Sequence, residues 1–212
     1  MTMKEIIKKR EIKEILHFTT NRGITGILDS GVVKPRRKLT KDKRLEYIVK
    51  LNCPDRSRDA EWHDYVSLSI TKVNQDLFRI SKDKWHSGMV GWWCILSFSA
   101  NILTHPGVVF CTTNNAYSGV VVRGTGAAAL ERLFADEVVE YESGTVARRR
   151  RSAPANEPTC KQAEVLYPGE LSLDYLQCIY VNKLDDASAV ESFFAVYPKF
   201  KGVRCIERAE LF

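Results

Sequence analysis

Apolar and polar positions alternate along this chain with two different periods, and each period predicts a different kind of element. The opening residues, MTMKEIIKKREIKEIL, interleave Ile with charge at amphipathic helical spacing, which predicts an N-terminal helix. Leu16 to Thr20 reads as a short strand. Asn21 then reads as the N-cap of a helix that runs through Ile24, Ile27 and Leu28 to Gly31. Strict alternation over Tyr65-Val66-Ser67-Leu68-Ser69-Ile70 predicts a half-buried strand, and Trp92 to Phe98 predicts another. Further strands are expected at Val108 to Thr112, Val120 to Val122, Ala163 to Leu166, Leu176 to Val181 and Val203 to Glu207. Helices are expected around Leu45, Tyr47, Ile48 and Leu51, from Gly124 to Phe134, and from Asp186 to Tyr197. The order is strand-rich, without repeats or regular βαβ alternation, so an α+β domain of packed sheets and helices fits better than a doubly wound one. One domain over residues 1–212 is the expectation.

Composition narrows the partners. With 212 residues and 44% hydrophobic content the chain can bury a full core. No run of 18 apolar residues occurs, so it reads as soluble, unexported, cytoplasmic and without a membrane segment. Its six Cys form no close pair and are expected as buried free thiols in a reducing compartment. The four His show no HExxH spacing, and no metal is expected. A net charge of +6 and a pI near 9.0 favour an anionic partner such as nucleic acid. That charge is concentrated in the basic stretch 34–44 and in four consecutive Arg, 148 to 151.

The run VVVRGTGAAA from Val120 to Ala129 imitates the strand, GxGxxA turn and helix of a dinucleotide-binding fold. Such a unit needs a following strand ending in an acidic residue about 20 positions on. The candidates, Glu140 and Glu142, lie in a short and poorly bounded segment, so a plain glycine-permitted loop before a helix is preferred.

Cys160-Lys161-Gln162-Ala163-Glu164-Val165-Leu166 sets one carboxylate at the entrance to an apolar strand, directly after a loop rich in Arg, Pro and Ser. Taken alone, Glu164 reads as an ordinary outward-facing strand residue paired with Lys161. Three features stand in order: His17-Phe18-Thr19 with a helix to Gly31, His63-Asp64-Tyr65-Val66 opening a second strand, and Gln162-Ala163-Glu164-Val165-Leu166. Together they resemble the DarT family of toxin ADP-ribosyltransferases, over residues 15–182. The resemblance implies a compact ADP-ribosyltransferase fold, a split and bent pair of sheets with flanking helices that clamps NAD as co-substrate. It implies transfer of ADP-ribose to a base in single-stranded DNA, by a toxin of a toxin–antitoxin or phage-defence system with a cognate antitoxin. Glu164 is then the catalytic carboxylate, stabilising positive charge at the ribose as nicotinamide leaves and taking the acceptor's proton. His17, Phe18 and Thr19 are assigned to NAD, with His17 and Thr19 on the ribose and the amide.

One departure bears on the acceptor. The thymine-modifying members of that family carry an Arg-containing segment after the second strand, where this chain reads SITKVNQDLF from Ser69 to Phe78. Its LS-x(4)-N-x(3)-F spacing resembles the guanine-modifying branch, which makes Ser69, Asn74 and Phe78 the further NAD candidates. Arg148, Arg149, Arg150 and Arg151, in the loop 142–160 before Glu164, are the expected nucleic-acid contacts in an acceptor-presenting segment. Trp92, Trp93 and Tyr117 are available as stacking faces, although the two Trp sit in apolar strand surroundings that suit the core. The alternatives are a noncatalytic basic nucleic-acid-binding protein and an ADP-ribosyltransferase acting on RNA or protein.

Overall fold

The computed structural model describes residues 1–39, 53, 57–88 and 90–212. The helix expected around Leu45 to Leu51 lies outside these residues, as does the end of the basic stretch 34–44. Helix α1 (Met3–Lys9) leads into strand β1 (Glu14–Thr20), helix α2 (Asn21–Ser30), strand β2 (Val32–Val33) and the short helix α3 (Arg36–Leu39). Then come β3 (Tyr65–Ile70), α4 (Gln75–Ile80), β4 (Trp93–Ser99), β5 (Val109–Cys111), β6 (Arg123–Thr125) and α5 (Gly126–Arg132). The remainder holds β7 (Glu137–Val139), β8 (Val146–Arg148), β9 (Glu164–Pro168), β10 (Leu171–Ser172), β11 (Leu176–Val181), α6 (Leu184–Val196) and β12 (Arg204–Glu207).

Eight strands form one mixed sheet in the order β12-β11-β4-β1-β3-β9-β5-β6, in which β11 and β12 run parallel and the other neighbours antiparallel. Together with the helices packed on it, this is an α+β fold. In the interior strand β4, residues 93 to 98 are all buried because both faces are covered. Cys94, Leu96 and Phe98 face a core shared with Ile6 of α1, Ile24 and Leu28 of α2, Leu130 of α5 and Val190 and Phe194 of α6. The alternate residues Trp93 and Ile95 join Leu16, Phe78, Cys178 and Tyr180 on the opposite face.

The split expected of the sheet lies between β1 and β3. Their ladder holds only Ile15↔Ile70 and Leu16↔Ser69, whereas β1 pairs with β4 along its whole length. Beyond Leu16 the two strands part, and the cleft opens between residues 17 to 20 and 65 to 68.

Three local expectations are corrected. Thr20, not Asn21, caps α2: it is still extended as the last residue of β1, and its hydroxyl accepts from Gly23 N at 3.1 Å. Gly31 ends the helix at φ 71°, a left-handed geometry that glycine adopts without strain. The strand expected at Val120 to Val122 forms at Arg123–Thr125 instead, because the amides of Val120 and Val121 both turn back to the Tyr117 carbonyl. That strand is antiparallel to β5, which excludes the parallel βαβ unit a dinucleotide-binding turn requires. The segment 142–160 is not wholly loop, since β8 pairs with β7 as a hairpin. Of the six free Cys, four are buried, while Cys53 and Cys205 are only half-buried.

Candidate active site

The cleft between β1 and β3 is a cavity of about 680 Å³, within the range of sites that enclose a nucleotide-sized ligand. One wall is Leu16 to Thr19 with the start of α2, and the other is Tyr65 to Ser67 and Ser69. Glu164 lies in its lining as the first residue of β9. Glu164 is 5% exposed, and its Oε2 accepts the backbone N–H of Asn115 at 3.3 Å. Lys161, its alternative partner, pairs instead with Asp76 at 2.9 Å. Asn115 also donates its side-chain Nδ2 to Oδ2 of Asp59 at 3.5 Å, so one buried Asn ties two carboxylates of the cavity wall together.

The β1 wall presents His17. Its Nδ1 is 3.1 Å from the Ser67 carbonyl across the split, replacing the backbone ladder that ends at Leu16. Burial pulls this imidazole below its ordinary value, and the bond to Ser67 offsets part of that effect, so His17 is neutral at pH 7. A carbonyl only accepts, so Nδ1 carries the proton and Nε2 is left as an acceptor. Thr19 is buried in the same wall, and its Oγ1 stands 2.1 Å from the position a Cβ on Gly23 would take.

Asn74 caps α4 by accepting from Leu77 N at 3.1 Å through Oδ1, while its buried Nδ2 has no hydrogen-bond partner. Nε2 of Gln162, two residues before Glu164, is equally buried and unpartnered. Both residues line the cavity. An orphaned buried donor costs about 1–3 kcal/mol, so two of them lining one cavity suit a ligand with several oxygen acceptors. Ser69 lines the cavity too. Phe78 does not. It is 2% exposed and packs edge-on to Phe18 at 5.2 Å and to Trp93 at 5.3 Å, behind the wall rather than in it.

A family model described as "DarT: ssDNA thymidine ADP-ribosyltransferase, DarT" matches residues 16–207. The chain belongs to the DarT family of ADP-ribosyltransferases. The DarT of Thermus sp. 2.9 in complex with NAD+ has a TM-score of 0.67 at 16% identity, covering 95% of this chain and 98% of that one. In complex with ADP-ribosylated ssDNA the same Thermus protein gives 0.63 at 16% identity, over 95% and 97%. DarTG of Thermosipho africanus, in complex with ADP-ribose, gives 0.58 at 11% identity, over 94% of this chain and 51% of that one. At these identities the likeness is one of fold. No curated protein sequence matches the chain.

In this DarT family member the four Arg of the basic loop before β9 are not equivalent. Arg149 is half-buried; its guanidinium donates to the carbonyls of Glu157 at 2.8 Å and Pro154 at 2.9 Å and lies 5.6 Å from the centre of the Phe134 ring. It therefore holds the loop's shape. Arg148 is exposed but bonded to Glu137 across the hairpin at 2.8 Å. Arg150 and Arg151 are exposed, and none of the four lines the cavity. Arg149→Ala should therefore cost about 1–3 kcal/mol, or a fall of several degrees in Tm by scanning calorimetry. Arg150→Ala with Arg151→Ala should leave Tm unchanged and flatten the salt dependence of single-strand binding by about 0.7 in log–log slope per charge.

Sequence reasoning missed Asp76, Tyr141 and Arg79 in the cavity lining. Asp76 meets Lys161 at 2.9 Å and the Tyr141 hydroxyl at 3.5 Å, and all three line the cavity. The ion pair holds the Asp76 carboxyl below its ordinary value and the Lys161 ammonium above its own. Tyr117 also lines the cavity, 5.9 Å from Tyr141, whereas Trp92 stacks on Phe193 and Trp93 is buried. Arg79, immediately after the Arg-less segment 69–78, lines the cavity beside Asp76. Asp76 and Tyr141 had no local signal, since their partners Lys161 and Asp76 lie far away in sequence, and Arg79 stands one residue past the segment read for Arg. Among the described residues no group of three or more His, Cys, Asp or Glu could hold a metal ion, and no helix is long and apolar enough to cross a membrane.

Proposed function

We propose that this DarT family member transfers ADP-ribose from NAD+ to a guanine in single-stranded DNA, with Glu164 as its catalytic carboxylate. The observation that carries this reading is the buried Glu164 in the lining of a cavity that also holds a neutral His17 and the unpartnered amides of Asn74 and Gln162. NAD+ fits such a lining, supplying the ADP-ribosyl group and nicotinamide as the leaving group. Nε2 of His17 accepts from a ribose hydroxyl, and Nδ2 of Asn74 and Nε2 of Gln162 donate to oxygens of the dinucleotide. Ser69 and Thr19 place hydroxyls on the same walls, while Phe18, backed by Phe78, gives the apolar surface. Glu164 stabilises positive charge developing on the ribose in a site shielded from water, then accepts the proton released by the attacking base.

The base preference rests on Asp76 and Lys161. Guanine offers N1–H and the N2 amino group to a carboxylate and O6 to an ammonium, whereas thymine offers one N–H. A thymine reading is favoured by the matching family description, which names thymidine. Arg150 and Arg151 draw in the strand, and residues 142–160 present it. The DarTG likeness and the family support a toxin held in check by a cognate antitoxin in the cytoplasm.

Extruding a base from duplex costs a few kcal/mol, so single strands should be labelled by radioactive NAD+ at least tenfold faster than the matched duplexes. Equal labelling of both would sink the single-strand preference. Mass spectrometry of nucleosides from the digested product should give ADP-ribosyl-deoxyguanosine; ADP-ribosyl-thymidine alone would install the second reading.

A further inference from the structure

The segment that imitates a dinucleotide-binding turn has a different use in this fold. Strand β6 adds to the edge of the sheet so that Arg123 lies opposite Cys111 of β5, and Cys111 lies opposite Glu164 of β9. Residues in lateral register on neighbouring strands project from the same face, so Arg123 and Glu164 share a face two strand spacings apart, roughly 9–10 Å. The gap is filled by Asn115, which is fully buried.

Arg123 donates Nε to Oδ1 of Asn115 at 2.6 Å and Nη2 to its backbone carbonyl at 2.8 Å. Both acceptors of one Asn are thus gripped by one planar guanidinium, which itself lies 5.3 Å from the centre of the Trp62 ring. With its acceptors held by Arg123, Asn115 directs its two donor nitrogens elsewhere. The backbone N–H goes to Glu164, and the side-chain amide goes to Asp59. A two-point grip of this kind fixes orientation as well as position, which a lysine ammonium would not do.

We propose that Arg123, acting through Asn115, is the positioning residue for the Glu164 carboxylate in ADP-ribosyl transfer. The proposal rests on the assignment of Glu164 as the catalytic group. Arg123 does not line the cavity; it sets which Glu164 oxygen is committed to Asn115 and holds the carboxylate in place against the cavity. A ligating group whose supporting shell is loosened by a fraction of an ångström commonly loses one to two orders of magnitude in rate.

The test is a double-mutant cycle read in single-turnover transfer to single-stranded DNA, using Arg123→Ala, Arg123→Lys, Glu164→Gln and the two doubles. NAD+ affinity by calorimetry and Tm are measured on every variant. Both Arg123 variants are expected to slow transfer at least tenfold with NAD+ affinity within about threefold of wild type. In the Glu164→Gln background neither should slow the residual rate further, because the group they position is gone.

Wild-type rates in both Arg123 variants would overturn the proposal. So would an equal slowing in the Glu164→Gln background, which would mean that Arg123 acts independently of Glu164. Failure of Arg123→Lys to fold would assign Arg123 to the fold instead. If Glu164→Gln alone keeps wild-type activity, the assignment of the catalytic carboxylate fails, an outcome distinct from failure of the Arg123 relay.

Discussion

Glu164→Gln should lower the rate of ADP-ribosyl transfer by roughly 10³-fold while leaving the fold and NAD+ binding intact. The substitution preserves the shape of a side chain that is 5% exposed, and the Asn115 N–H can still be accepted by the Gln carbonyl oxygen. What would disappear is the negative charge proposed to face the ribose and the base proposed to remove the acceptor's proton. Each of these effects contributes about 10²–10⁴-fold when the group is removed. The comparison is transfer of label from NAD+ to a single-stranded oligonucleotide, with calorimetric NAD+ affinity and Tm measured on the same preparations. Activity retained within tenfold of wild type would remove Glu164 from the reaction and favour the noncatalytic nucleic-acid-binding reading.

The second large effect is expected at Gly23, where two general rules point in opposite directions. In a helix interior, Gly→Ala ordinarily stabilises by about 1 kcal/mol. Here the added Cβ would stand 2.1 Å from Oγ1 of Thr19 and 3.4 Å from its Cβ. Thr19 is 3% exposed, and a β-branched side chain so enclosed has few rotamers to move into. Overpacking of this kind costs about 1–3 kcal/mol, which outweighs the propensity gain. Gly23→Ala should therefore lower Tm by several degrees and weaken NAD+ binding at least tenfold, because Thr19 and Gly23 both form the cavity wall. A raised Tm with unchanged NAD+ affinity would show that the α2 start has room to give. It would also take Thr19 out of the NAD site.

The residues chosen for the site differ in how readily the sequence reveals their surroundings. His17, Thr19, Ser69, Asn74 and Glu164 stand near strand ends or helix caps, where short patterns are informative, and the structure brings all five to one cavity. Phe78 sits on the same short pattern but faces the other way, onto Phe18 and Trp93. Only the rotation of α4 against the sheet decides that. Arg149 was indistinguishable from its three Arg neighbours until the loop's carbonyls folded back onto its guanidinium. Asp76 and Lys161 are 85 residues apart, since 161 − 76 = 85, so no local window contains the pair.

By itself the sequence determined where most strands and helices lie, through the period of its apolar positions, and it marked His17 and Glu164 by the patterns around them. It could not determine which strands become neighbours. The lateral row of Arg123, Cys111 and Glu164, the separation of β1 from β3 after Leu16, and the bridge through Asn115 exist only once the sheet order is set. Periodicity records which face of an element is buried. Register between distant strands is fixed by the packing of the whole core, and that packing gives Glu164 its cleft, its partner and the chemistry proposed for it.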